Sequence, residues 1–87
     1  MAKPTYQHVR PKFNDHGVTL LRIERTSRNV PLLQLSLATG IHYSRLSLIE
    51  AGLAISPEQA RKIAEFYHRP VSAFFDVPEE GEANASS

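Results

Sequence analysis

The sequence has no cysteine and no tryptophan, and its four glycines occur singly among 87 residues. Without cysteine, neither a disulfide framework nor a thiolate metal site can form, and the composition suits a reducing cytoplasm. Scattered glycines exclude a glycine-rich phosphate-binding loop. No apolar run approaches the roughly 18 residues of a membrane-spanning helix, and residues 1–4 are not followed by the apolar stretch of a signal peptide. We therefore expect a soluble, cytoplasmic protein with no membrane partner.

Catalytic and metal-binding patterns are also missing. The four histidines show no H-x-x-x-H pairing, which a zinc site would use. Ser44 and Ser47 lie outside any G-x-S-x-G context, the motif of a hydrolase nucleophile. The sequence therefore predicts no enzyme, no metal and no cofactor.

Charge is divided unevenly along the chain. Residues 1–50 hold seven basic and three acidic side chains, whereas residues 51–87 hold three basic and six acidic ones. A basic half suits a side that faces nucleic acid, and an acidic end suits a solvated tail. Such an imbalance also arises by chance in small proteins, so it is a weak indicator by itself.

The two ends of the chain read differently from its middle. Residues 1–17 contain two prolines and no helical period, and Lys3, Arg10 and Lys12 make them a candidate basic arm that contacts phosphates or the minor groove. The alternatives are a loose terminus or a strand that packs on the body. Residues 76–87 are acidic and rich in small side chains, which predicts a disordered tail.

The stretch from Pro31 to Gly52 reads as two short helices joined by a tight turn. Gly40 lies where the chain must reverse, and glycine reaches positive φ at little steric cost. Two helices with a glycine in a short connection are typical of the DNA-binding helix-turn-helix motif. Apolar residues would hold the pair together; they are Leu35, Ile41, Leu46 and Ile49.

Periodicity and capping signals predict five helices and an all-α fold over residues 18–75. Ser56, Pro57 and Gln59 form the clearest local signal, an N-cap serine, a proline at the first helical position and a capping-box glutamine. The predicted helices are Val18–Arg28, Pro31–Thr39, Tyr43–Ala51, one from Ser56 to Tyr67, and a short one over Val71–Phe75. One small domain of this size gains stability by pairing, so we expect a homodimer.

The outward side of the predicted third helix carries Ser44, Ser47 and Leu48, flanked by Tyr43 and Arg45. Solvated helix faces usually carry Lys, Glu and Gln, whereas this one is short-chained and uncharged at its centre. Hydroxyls suit bases or phosphates, arginine suits a phosphate or a guanine edge, and leucine suits a thymine methyl. The pattern favours a surface that lies in the major groove.

The second helix holds more leucines than one narrow stripe can bury. Leu33 and Leu37 lie on a different side from Leu35. Either the helix is buried on two sides, or these two leucines form an exposed apolar patch.

From Val18 to Phe75 the order of elements resembles the Cro/lambda-repressor family of helix-turn-helix domains. The resemblance covers about two-thirds of the chain. It rests on Leu35, Ala38-Thr39-Gly40-Ile41, Ser44, Leu46-Ser47, Ile49-Glu50-Ala51-Gly52, the stretch Ser56–Tyr67 and Val71–Phe75. It implies a lambda-repressor-like fold, double-stranded DNA as the partner, and a structural role for Glu50 at the end of the third helix.

Four residues, at three places in the sequence, depart from the family pattern. Pro31-Leu32 stand where the family commonly has Ser/Thr-Gln, His42 where it often has serine or threonine, and Leu48 where it often has arginine or lysine. Base readout must then depend on the remaining polar residues of the third helix.

The leading hypothesis is a sequence-specific DNA-binding transcriptional regulator, a repressor that inserts helix Tyr43–Ala51 into the major groove. The alternative is a protein-interaction adaptor that uses the leucine-rich outer face to hold a protein partner. The predicted DNA-binding residues are Leu32, Gln34, His42, Tyr43, Ser44, Arg45, Ser47 and Leu48, with Arg28, Lys3, Arg10 and Lys12 as basic contacts.

Overall fold

A computed structural model describes residues 8–77. In chain order these residues form β1 (Arg10–Pro11), α1 (Leu20–Ser27), α2 (Leu32–Thr39), α3 (Tyr43–Glu50), α4 (Pro57–Phe66), a 3₁₀ helix (Val71–Ala73) and β2 (Phe75–Asp76). Lys3, the remainder of residues 1–7, and residues 78–87 of the predicted acidic tail lie outside the described residues.

The glycine turn joins α2 to α3 as predicted. Gly40 has a φ of 78°, in the left-handed region that other residues rarely adopt. The hydroxyl of Thr39 donates to the carbonyl of Leu35 at 2.8 Å and accepts from the N–H of Ile41 at 3.2 Å. The turn is therefore fixed both by the backbone freedom of glycine and by a threonine side chain that is bonded on either side of it.

The core lies where α2 packs against α3 and α4. The residues predicted to face inward on these helices are buried, and Phe74 and Phe75 enter the same core from the end of the described chain. Burying one large apolar side chain stabilises a fold by roughly 1.5–3 kcal/mol, so this cluster dominates the stability of the domain. The buried apolar residues are Val9, Leu21, Leu35, Ile41, Leu46, Ile49, Ile55, Ala60, Ile63, Ala64, Tyr67, Phe74 and Phe75.

The predicted N-terminal arm is part of the domain from Val9 onward. The N–H of Val9 donates to the carbonyl of Ile55 at 2.7 Å, the reverse bond measures 3.0 Å, and β1 pairs antiparallel with β2. Val9 and Pro11 are buried while Arg10 between them is exposed, as expected of a strand with one face on the body. The alternative of a packed strand therefore describes residues 9–11 better than a free arm does.

The prediction of five helices in an all-α fold was wrong at the end of the domain. The predicted helix Val71–Phe75 is a single 3₁₀ turn followed by β2. The reason is tertiary, because pairing with β1 requires extended backbone at Phe75, and the N–H of Lys12 also donates to the carbonyl of Phe74 at 2.8 Å. The packed region consequently extends to Asp76, one residue into the predicted tail.

Side chains cap three of the four described α-helices. Thr19, His42 and Ser56 each accept a hydrogen bond from a first-turn N–H, at the starts of α1, α3 and α4. The Ser56 cap confirms the prediction, and upstream of Thr19 the side chain of Asn14 accepts from the N–H groups of His16 and Val18 in a turn. Pro31 precedes α2 as its N-cap residue, one position before the expected place, and no side chain among residues 8–77 caps that helix.

The hydroxyl of Tyr67 is buried and has no hydrogen-bond partner among the described residues. Burial also raises the pKa of Tyr67 to about 12, because the ionised phenolate would be poorly solvated there. In the unfolded chain the tyrosine ionises near pH 10, so this contribution to stability is complete below pH 10 and lost between pH 10 and 12.

We expect the free energy of unfolding to fall by about 1 kcal/mol more in the wild type than in Tyr67→Phe between pH 8 and pH 11.

Urea denaturation of both proteins at the two pH values measures this difference. Below pH 10, Tyr67→Phe removes an unsatisfied buried hydroxyl and should be at least as stable as the wild type. Equal losses in the two proteins would contradict the assignment to Tyr67.

Candidate nucleic-acid interface

A buried ion pair fixes the carboxyl end of α3. Glu50, only 6% exposed, accepts a hydrogen bond from Nε of Arg25 at 2.7 Å, and its backbone carbonyl accepts one from the hydroxyl of Thr19 at 2.8 Å. Arg25 also donates through Nη1 to the carbonyl of Val30 at 2.8 Å. The hydrogen bond with Glu50 raises the pKa of Arg25 above its ordinary value, so the guanidinium stays charged. Glu50 is thus a structural acid, as the family resemblance implied.

The outward side of α3 is centred on Ser44 and Leu48. The three buried residues of this helix share one side, and at about 100° per residue the opposite direction passes between these two positions. Ser47 and Tyr43 lie towards one edge and Arg45 towards the other, and all five residues are exposed. We call these five residues the α3 outer face. The predicted exposure of these residues is seen in the structure, and their contact with DNA stays a prediction.

The amino end of α3 is capped by a histidine whose contacts show that its Nδ1 atom accepts hydrogen bonds. Nδ1 of His42 accepts from the backbone N–H of Ser44 at 3.1 Å and lies 2.8 Å from Oγ of the same serine. A backbone N–H can only donate, so Nδ1 carries no proton and the hydroxyl of Ser44 donates to it. The ring of His42 also stacks on Tyr43, with 4.4 Å between centroids. Ser44 therefore presents its oxygen as an acceptor at the centre of the α3 outer face.

Arg45 leans towards α4. Its Nε and Nη2 each lie 3.4 Å from Oε1 of Gln59. The backbone N–H of Gln59 donates to Ser56 as the capping box predicts, but its side chain meets Arg45, which sequence reasoning did not anticipate. The guanidinium consequently lies at the edge of the α3 outer face, beside the first turn of α4.

The amino end of α2 carries backbone donors without a side-chain cap. The first N–H groups of a helix have no partner in a preceding turn; here the N–H of Gln34 donates to the carbonyl of Pro31 at 3.0 Å, and no side chain of the described residues caps the N–H groups of Leu32 and Leu33. Of the two residues predicted here as DNA contacts, Leu32 is partly buried against the core and Gln34 is exposed. The uncapped amides form a site suited to a phosphate.

The predicted basic contacts are spread over the described molecule. Nη2 of Arg28 lies 2.6 Å from the carboxylate of Glu24, and its guanidinium lies 5.3 Å from the ring centroid of Tyr67. Nζ of Lys12 donates to the carbonyl of Ser72 at 2.6 Å. Arg10 is exposed on β1. Thus Arg28 and Lys12, which sequence reasoning treated as free cations, make internal contacts.

The extra leucines of α2 form an exposed patch, so the helix is not buried on two sides. Leu33 is 56% exposed and Leu37 is 78% exposed. Two leucines are too small a patch to define an interface by area.

Sequence reasoning missed the residues that hold α3 in place. Thr19 and Arg25 bind its last residue, and Gln59 meets its arginine. A threonine just before an apolar stripe is a usual helix cap and could have been found, but no local pattern shows which arginine reaches a buried carboxylate. The end of α3 was predicted one residue too late, since Ala51 follows the helix as its C-cap.

Gly52 permits a close contact just beyond α3. Its φ is 118°, and a Cβ at this position would lie 2.9 Å from Cζ of Phe13. The ring of Phe13 therefore rests on the backbone of Gly52, which ties the N-terminal segment to the end of α3.

Among residues 8–77, no three His, Cys, Asp or Glu side chains converge on a possible metal site. None of the helices described in this range is both long enough and apolar enough to span a bilayer.

The structure defines a helix-turn-helix fold. A glycine turn joins α2 to α3, and α3 is held by buried contacts on one side and exposed on the other. The family model HTH_3, described as Helix-turn-helix and of the Cro/C1 type, matches residues 21–74. The chain belongs to this family, whose members are DNA-binding regulatory domains and typically not enzymes. Searches of curated proteins and of solved structures gave no match. The adaptor alternative is not favoured by this membership.

Proposed function

We propose that the protein is a sequence-specific transcriptional repressor that inserts α3 into the major groove of double-stranded DNA. The observation that carries this proposal is the α3 outer face, which is short-chained and uncharged at its centre. Short side chains let a helix approach base edges closely, and the major groove is wide enough to admit a helix. The buried pair of Glu50 with Arg25 supports the proposal because it fixes the helix that would enter the groove.

Phosphate contacts would orient α3 in this arrangement. The uncapped amides at the start of α2 and the guanidinium of Arg45 at the edge of the α3 outer face are the groups best suited to them. Arg10 and Lys3 stay among the proposed contacts. Arg28 and Lys12 leave that set, because their contacts within the molecule are short, at 2.6 Å each, whereas those of Arg45 with Gln59 are long, at 3.4 Å.

We further propose that the repressor binds as a homodimer. One α3 outer face covers only a few base pairs, so two copies on a pseudo-palindrome would supply the affinity and specificity that one lacks. The half-sites would then lie about one helical turn apart, roughly 10 bp centre to centre. Light scattering of the free protein and of its DNA complex measures the stoichiometry, and a 1:1 complex on every enriched site would contradict this proposal.

Selection of bound sequences from random duplexes, followed by fluorescence anisotropy, tests the function. We expect Arg45→Gln to weaken binding to all duplexes alike and to reduce the slope of log affinity against log salt by about one, as loss of one phosphate contact does. Arg28→Gln is the matched control, since the structure pairs this arginine with Glu24, and its slope should stay unchanged.

The proposed function is wrong if the selection enriches no duplex at low salt. Repression is tested separately, with a promoter in which the enriched site overlaps the polymerase site. Expression of the protein should lower transcription from that promoter, because occupancy of the site is all that blocking requires. Raised transcription would make the protein an activator.

A further inference from the structure

The centre of the α3 outer face lacks the side chains that usually read guanine and adenine by two hydrogen bonds. Arginine and lysine pair with guanine in this way, and asparagine and glutamine with adenine. Here Ser44, Ser47 and Leu48 occupy the exposed middle of the helix. Arg45 lies at the edge of the α3 outer face, where its guanidinium contacts Gln59. Recognition at the centre must therefore use one apolar side chain and single hydroxyl groups.

Leu48 is the apolar group at this centre. It is 57% exposed and stands beside Ser44 on the side of α3 opposite the core. In the major groove, the C5 methyl of thymine is the apolar feature of the base edges. A leucine that enters the groove at this point gains contact area from a thymine and from no other unmodified base.

Ser44 complements a base with an amino group. Its hydroxyl hydrogen is committed to Nδ1 of His42, so its oxygen is free to accept. Adenine N6 and cytosine N4 are the major-groove donors. Of these two bases, only adenine pairs with a base that carries a methyl group for Leu48. The two neighbouring side chains together match the major-groove edge of an A·T pair.

We propose, on the basis of the proposed function, that the recognised half-site places A·T pairs against Ser44 and Leu48. The thymine methyl contacts Leu48, which is the specificity-determining residue, and the adenine amino group donates to Ser44. The DNA recognised by this protein is thus distinguished by thymine methyl groups opposite the centre of the α3 outer face.

Replacing thymine by deoxyuridine, one position at a time in the enriched duplex, removes single methyl groups and tests the inference. Because burying one methyl-sized group contributes about 0.8 kcal/mol, we expect about fourfold weaker binding when the thymine that contacts Leu48 is replaced. In Leu48→Ala the same replacement should change the affinity by less than about 1.5-fold, since the contact is already lost. Leu37→Ala, an exposed leucine of α2, is the matched control and should keep the fourfold loss.

The outcomes separate this inference from the function on which it rests. An enriched duplex whose affinity is insensitive to deoxyuridine at every position overturns the inference and leaves the function intact. Equal sensitivity in Leu48→Ala and the wild type also overturns it. Absence of any enriched duplex overturns the function itself. Circular dichroism melting of the two alanine variants verifies that both are folded, as expected for exposed positions.

Discussion

Replacing Glu50 with alanine is expected to lower the free energy of unfolding by about 3–5 kcal/mol, because it leaves the guanidinium of Arg25 partly buried without its counter-charge. Small domains have total stabilities of roughly 5–15 kcal/mol, so the variant should unfold at much lower urea concentration and temperature than the wild type. Urea titration followed by circular dichroism measures the change. DNA binding by the variant should be lost over the same range of urea concentration as its folded structure.

Glu24→Ala is the matched control for this variant. Glu24 also accepts hydrogen bonds from arginines, but its partners Arg28 and Arg69 are 41% and 49% exposed, against 15% for Arg25. Exposed ion pairs contribute about 1 kcal/mol or less, so this variant should stay close to the wild type. Comparable losses of unfolding free energy in the two variants would show that burial does not increase the contribution of the Glu50–Arg25 pair to stability.

Replacing Leu48 with glutamate is expected to weaken binding to the enriched duplex by about 100- to 1,000-fold. A carboxylate at the centre of the α3 outer face would meet the negative potential of the groove and lose its hydration, which costs several kcal/mol. Leu48 is exposed, so the melting temperature should change little. Fluorescence anisotropy at fixed salt, beside thermal melting, separates the two effects.

Leu37→Glu provides the control for charge alone. It adds the same carboxylate at a more exposed leucine, 78% against 57%, but on α2 and away from the α3 outer face. We expect a change in DNA affinity of less than about tenfold, attributable to long-range repulsion. If the two glutamate variants bind DNA equally well, α3 does not enter the groove.

The central motif could be predicted because its signals are local. Gly40 marks the reversal, Ser56 and Pro57 mark the start of α4, and the helical period alone places Ser44 and Leu48 opposite the buried side of α3. The strand pair could not be predicted, since β1 and β2 have two residues each and show no period of their own. Their pairing depends on where α4 and the 3₁₀ helix bring the chain.

The roles of the arginines were also beyond sequence reasoning. Arg25, Arg28 and Arg45 are alike in the sequence, but one holds a buried carboxylate, one covers a tyrosine ring and one meets a glutamine. Each of these partners belongs to a different helix or follows one. Helical spacing predicts the pair of Arg28 with Glu24, four residues earlier on α1, but the contacts made across helices depend on tertiary packing.

The geometry of the β1–β2 pair determines how the domain responds to tension on its flanking segments. The strands run antiparallel with Arg10 opposite Asp76, so tension on the flanking segments loads these hydrogen bonds one after another. Bonds broken in sequence resist less force than bonds broken together. On the N-terminal side the two hydrogen bonds between Val9 and Ile55 are loaded as well, so the segment that joins α3 to α4 carries part of the tension while the strand pair separates.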